Sequence, residues 1–99
     1  MFATIRRYTV RPGQMSEVIR RVRAGLIPII SAHPGFVSYH AIDAGQNVAL
    51  SVSFYQGRAA ADAANKDAAG WVQAHLAELT TPIDVTVGEV VADAAAART

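Results

Sequence analysis

The sequence contains no cysteine, which removes disulfides, thiolate metal sites, iron–sulfur clusters and cysteine nucleophiles at once. Histidine occurs only at positions 33, 40 and 75, without His-x-x-x-His spacing or an accompanying carboxylate cluster, so no metal is expected. Neither a Gly-x-Gly-x-x-Gly stretch nor a phosphate-binding loop is present, and nucleotide cofactors are left without support. No nucleophile-elbow motif points to a Ser-His-Asp site. No apolar run approaches the roughly 18 residues of a membrane span, and Met1–Arg7 lacks the apolar stretch of a signal peptide. A cytoplasmic protein without a membrane partner is the expectation. Charge is scarce too: 17% of 99 residues, nine basic against eight acidic, for a net +1. That balance excludes a polyelectrolyte built to coat nucleic acid.

Apolar residues, by contrast, make up 52% of the chain. A chain of this length forms one domain that buries roughly two-thirds of its unfolded surface. The apolar excess therefore predicts a further surface to cover, most simply a homodimer interface.

Punctuation along the chain is regular. Phe2–Val10 is β-branched and aromatic, as a strand requires, and Arg11-Pro12-Gly13 ends it. Met15, Val18, Ile19, Val22, Leu26, Ile29 and Ile30 then repeat at helical spacing, with Ser16 or Gln14 as the cap and Glu17 in the first turn. Pro28 falls inside this pattern and predicts a kink or break before the last turn. Phe36–Asp43 and Asn47–Gln56 form a hairpin around Ala44–Asn47. In the second of these strands Val48, Leu50, Val52 and Phe54 alternate with Ala49, Ser51 and Ser53, one bulky face and one small. Arg58–Leu79 is an alanine-rich helix with a possible joint at Gly70, stopped by Thr80-Thr81-Pro82. Ile83–Ala92 is the last strand, with Val85, Val87 and Val91 on one side. Residues 1–93 thus read as one domain and 94–99 as a frayed tail.

The order βαββαβ predicts an α+β, ferredoxin-like fold: a four-stranded antiparallel sheet with both helices on one face. RNA-recognition motifs share that order, but the third strand here carries no basic residue and no Gly-Phe pair, so no nucleic-acid partner is expected. Six arginines stand against Glu17 alone in residues 1–40, and three basic against seven acidic residues thereafter. The plain consequence is a basic first helix that pairs with acids elsewhere.

The short βαββαβ length, Pro34-Gly35-Phe36 ahead of the second strand, Val52-Ser53-Phe54 at the end of the third and the alanine-rich second helix resemble the antibiotic biosynthesis monooxygenase family. The resemblance runs to about Ala92. It implies a dimeric α/β barrel and, in some members, cofactor-independent oxygenation of a polycyclic or quinol-type molecule. Haem-degrading, quinone-handling and non-catalytic binding dimers are the alternatives within the family.

By that resemblance Asn65 and Trp71 on the second helix hold an aromatic substrate, Asn65 as amide donor and Trp71 as a flat platform. His75, four residues after Trp71, shares its helix edge and is a candidate base or, by position, a haem ligand. The haem-degrading pattern also needs an earlier tryptophan on this helix and an asparagine on the first strand. Here those positions fall in Ala59–Ala64 and at Arg6 or Arg7. On the strands, Arg6 and Tyr8 share one face, and Tyr39 and His40 point to opposite faces. All four are candidate substrate contacts. A buried arginine requires a partner or an anionic ligand. The sequence leaves open which parity faces the helices.

Overall fold

A computed structural model describes residues 1–95. Strand β1 (Phe2–Val10) leads to α1 (Met15–Arg21), a π-helical segment (Val22–Leu26) and α2 (Ile27–Ser31). Then come β2 (Phe36–Asp43), β3 (Val48–Tyr55), α3 (Arg58–His75) and β4 (Thr80–Glu89). The strands pair antiparallel in the order β2-β3-β1-β4 with the helices on one face, the ferredoxin-like α+β fold.

Pro28 shapes the first helical run through the residues before it. In an α-helix its ring would collide with the Ala24 carbonyl, which it has no N–H to satisfy. The chain widens into a π-turn instead, with the Ile27 N–H donating to the Val22 carbonyl, and Pro28 enters the first turn of α2. Gln14 is the N-cap of α1 but makes no side-chain capping bond.

Three boundaries differ from the sequence expectation. Helix α3 ends at His75 and runs unbroken through Gly70. Thr80 and Thr81 open β4 instead of terminating the helix, because Thr80 Oγ1 and N–H both donate to the Leu76 carbonyl and turn the chain directly into the sheet. β4 stops at Glu89, and Pro82 is accommodated because this is an edge strand with a bulge opposite Arg7 and Tyr8. Ala94 and Ala95 are exposed and outside regular structure, and the rest of the expected tail lies outside the described residues.

The alternation in β3 decides the layering. Ala49, Ser51 and Ser53 are buried on the helix side, where α3 presents buried Ala61, Ala64 and Ala68. Small residues on both elements let helix and sheet approach closely. Val10, Val18, Val22, Leu26, Ile30 and Tyr55 fill the space around them. The bulky set, Val48, Leu50, Val52 and Phe54, lies on the opposite face, half-buried beside Ile5 and Ile42, each 41% exposed.

Helix α3 also packs against the π segment, where the Trp71 indole lies on Gly25. A Cβ at Gly25 would sit 2.7–2.9 Å from three indole atoms. Gly25→Ala is therefore expected to cost about 1–3 kcal/mol through overpacking. That reverses the roughly 1 kcal/mol an alanine ordinarily gains over glycine in a helix. Gly70 has open space around it, so Gly70→Ala should stabilise by about 0.5–1 kcal/mol. Thermal melts of the two variants should shift in opposite directions.

On the surface, the Glu17 carboxylate accepts bonds from Arg20 (2.7 and 2.8 Å) and Arg21 (2.7 Å). Arg21 also reaches the His75 carbonyl at 2.7 Å and Glu78 at 3.0 Å, tying α1 to the end of α3. The hydrogen bonds from Arg20 and Arg21 hold Glu17 at about 2, well below its ordinary 4.5. A lowered folded-state pKa stabilises above the unfolded value, and that contribution fades as pH falls from 4.5 toward 2. Urea midpoints across that window should fall less steeply in Glu17→Gln than in the wild type.

Candidate functional site

The space between α3 and the sheet holds two joined compartments that share Arg6, Tyr8, Val72 and Thr80. The inner one, under α1 and the π segment, has a volume of about 30 Å³ and is lined further by Tyr39, Ser51, Ala49 and Leu26. That is room for about one water molecule. The outer one, about 340 Å³, opens between α3 and β4 and adds Ala69, Gln73, Ala77, Pro82 and Val85. Its size lies at the lower end of ligand sites, roughly 300–1,000 Å³. Val85 pairs with Arg6 across the sheet and so points to the helix side, yet α3 does not reach over it, leaving it 49% exposed.

Strand parity delivers the polar groups. Thr4, Arg6 and Tyr8 alternate inward on β1 and are buried, whereas Ile5, Arg7 and Thr9 face away. The Arg6 Nη2 donates to the backbone carbonyl of Asn65 at 3.2 Å, and no carboxylate lies within ion-pair distance of it among the described residues. The Asn65 amide itself donates to Thr4 Oγ1 at 2.9 Å, which pins this turn of α3 to β1. Burial pushes the Tyr39 phenol up to about 12, with a Ser51 hydrogen bond and the positive charge of Arg6 pulling the other way. Tyr39 thus remains a protonated donor at neutral pH. Among the described residues, no histidine, aspartate or glutamate lines either compartment.

Arg6, Tyr8 and Tyr39 therefore come together at the cavity, and the remaining candidates do not join them. His40 lies on the opposite face of the sheet, edge-on to Phe54 with 6.3 Å between ring centroids. Trp71 and His75 stack at 5.1 Å in a groove between the helices that Arg20, Arg21 and Gly25 complete. Asn65 borders Arg6, but its amide is committed to Thr4. The divergence follows from helix geometry: six residues separate Asn65 from Trp71, about 120° around the axis at 100° per residue. His33 is paired with Asp67 at 2.9 Å, away from the cavity.

Ser51, Gln73 and Thr80 line the cavity without having been singled out from the sequence. Ser51 was recoverable from its place on the small face of β3, and Gln73 from the helical step of four after Ala69. Thr80 was not, because its role depends on where α3 ends.

The fold and cavity define a small α+β domain with a cavity between sheet and helices, lined by one buried cation and otherwise uncharged residues. The family model for antibiotic biosynthesis monooxygenases matches residues 1–78, and the chain belongs to that family. No curated protein sequence matches it. Among solved structures it is similar to NE2512, a protein of unknown function from Nitrosomonas europaea. The TM-score is 0.80 at 21% identity, covering 98% of this chain and 95% of that one. It is similar to Rv0793 from Mycobacterium tuberculosis, with TM-score 0.75 at 26% identity over 95% and 98% of the two chains. It also resembles a mutant of SnoaB, a cofactor-independent oxygenase from Streptomyces nogalater, with TM-score 0.75 at 17% identity over 93% and 94%.

Proposed function

We propose that this protein is a cofactor-independent oxygenase of an apolar, enolisable or phenolic small molecule, and that it works as a homodimer. The observation that carries this reading is the make-up of the cavity. Its walls are largely apolar, its polar groups are hydroxyls and one amide around a single guanidinium, and among the described residues it has no carboxylate or imidazole. Such a site stabilises negative charge on a bound carbon acid or phenol in a low-dielectric space, where each donor counts for more than in water.

The chemistry needs no external reductant when the substrate supplies the electrons. The ionised substrate passes an electron to O2, the radical pair combines to a peroxide on carbon, and loss of water leaves a carbonyl. Overall a CH2 group becomes C=O. One atom of O2 enters the substrate and the other leaves as water with both substrate hydrogens, so O2 accepts four electrons. Arg6 faces the developing oxyanion, and Tyr39 donates a hydrogen bond without exchanging its proton. With no base in the walls, the substrate proton leaves to solvent. The family includes cofactor-independent oxygenases such as SnoaB, which supports the assignment. The haem alternative finds little in the donor set, since no imidazole lines the cavity: His75 lies in the interhelical groove and His40 beyond the sheet.

The apolar outer face of the sheet supports the dimer. Ile5, Ile42 and the bulky set of β3 form a patch that no element among the described residues covers.

The test is oxygen uptake by chelator-treated, haem-free protein supplied with an anthrone. Uptake above the buffer rate is expected, with one molecule of O2 consumed per substrate and one atom of isotopically labelled O2 in the product. Saturable binding of the anthrone without uptake would instead assign the cavity to a non-catalytic binding dimer.

A further inference from the structure

Arg6 is 8% exposed, and among the described residues no carboxylate lies within ion-pair distance of it. Glu17 is spent on Arg20 and Arg21, Glu78 on Arg21, and Asp67 on His33. Asp84, the nearest acid in register on β4, pairs with Arg7 and so belongs to the other face of the sheet. The groups that share the cavity with Arg6 are all uncharged: Tyr8 on β1, Tyr39 on β2, Ser51 on β3, Gln73 on α3, and Thr80 at the start of β4. Helix α1 and the π segment contribute only aliphatic side chains. The guanidinium uses one of its five donors on the Asn65 carbonyl, and its other nitrogens are open to the cavity that Arg6 lines.

We infer that the cavity selects its ligand as a preformed anion: an apolar molecule with one ionised oxygen group, held on Arg6, with its body along Val72, Pro82 and Val85. The inference rests on reading the cavity as the ligand site and is independent of oxygen chemistry. The inner compartment is too small for a ring, so the charged end is the part that reaches Arg6 at the junction, and the apolar end fills the outer cleft. An uncharged isostere would leave the cation unpaired, and discrimination is strongest against a ligand that strands a buried polar group.

The experiment compares anilinonaphthalene sulfonate with phenylnaphthylamine, two fluorescent dyes of one skeleton that differ by the sulfonate. At physiological salt the wild type is expected to bind the sulfonate about tenfold tighter or more. Arg6→Met should erase that preference while still binding the uncharged dye, and Arg6→Lys should retain part of it. Nitrogen NMR of the wild type provides a readout that needs no variant: the Arg6 side-chain resonance should move with the sulfonate and not with phenylnaphthylamine. Equal affinities in the wild type, a preference that survives Arg6→Met, or an unmoved Arg6 resonance would overturn the inference. Anion preference with no oxygen uptake on any anthrone would reject the oxygenase reading and leave this one standing.

Discussion

Arg6→Met is expected to lower oxygenase kcat/KM about 10²–10³-fold, the cost of removing one well-placed donor to the substrate oxyanion, roughly 3–4 kcal/mol. The same substitution should raise thermal stability. In the free protein the guanidinium makes one bond of 3.2 Å to a backbone carbonyl, sits in a largely apolar cleft and has no carboxylate beside it among the described residues. An uncompensated buried charge is costly, and methionine, unbranched and flexible, follows the same path through the core. A net gain of about 1–2 kcal/mol is reasonable once the lost hydrogen bond is subtracted. In a domain of this size that is roughly 4–16 °C in Tm. The paired result, a slower and more stable enzyme, distinguishes a functional arginine from a structural one, whose loss would lower both. Oxygen uptake and calorimetry on one preparation measure the two together.

Val52→Glu should convert the proposed dimer into a monomer. Val52 pairs with Ile5 on β1 and His40 on β2, at the middle of the outer sheet face. In a two-fold dimer each substitution occurs twice, so two carboxylates would be carried into an apolar contact with only the His40 imidazoles beside them, at several kcal/mol in total. Dissociation weakened in this way corresponds to a dimer constant on the order of a thousandfold poorer or more. Sedimentation equilibrium reads it directly, and a variant that remains dimeric at micromolar protein would place the interface elsewhere. The cavity lies on the other side of the sheet, so dye binding should persist if each protomer stays folded.

Both predictions depend on knowing which side of each strand faces the helices, and this was the information missing from the sequence. Alternation places Arg6 with Tyr8 and separates Tyr39 from His40, but it fixes only relative orientation. The ambiguity was deepest in β3, where the bulky residues face outward and the small ones inward, against the usual expectation that large apolar residues mark the core. The inversion arises because α3 is itself lined with alanine, and two smooth surfaces approach closely.

The sequence by itself determined the order of elements, the antiparallel α+β class, the break ahead of Pro28 and the surplus of apolar surface. These rest on local preferences: β-branched runs, helical spacing, turn residues and proline stereochemistry act over a few residues each. The tertiary structure alone decided that Arg6 is buried with no counter-ion among the described residues, that Trp71 and His75 leave the cavity for the interhelical groove, and that β4 begins at Thr80. Those outcomes follow from how far α3 extends and how it is rotated against the sheet. The rotation is set by contacts between residues distant in the chain, such as Asn65 with Thr4 and Trp71 with Gly25, at separations where no local pattern carries information.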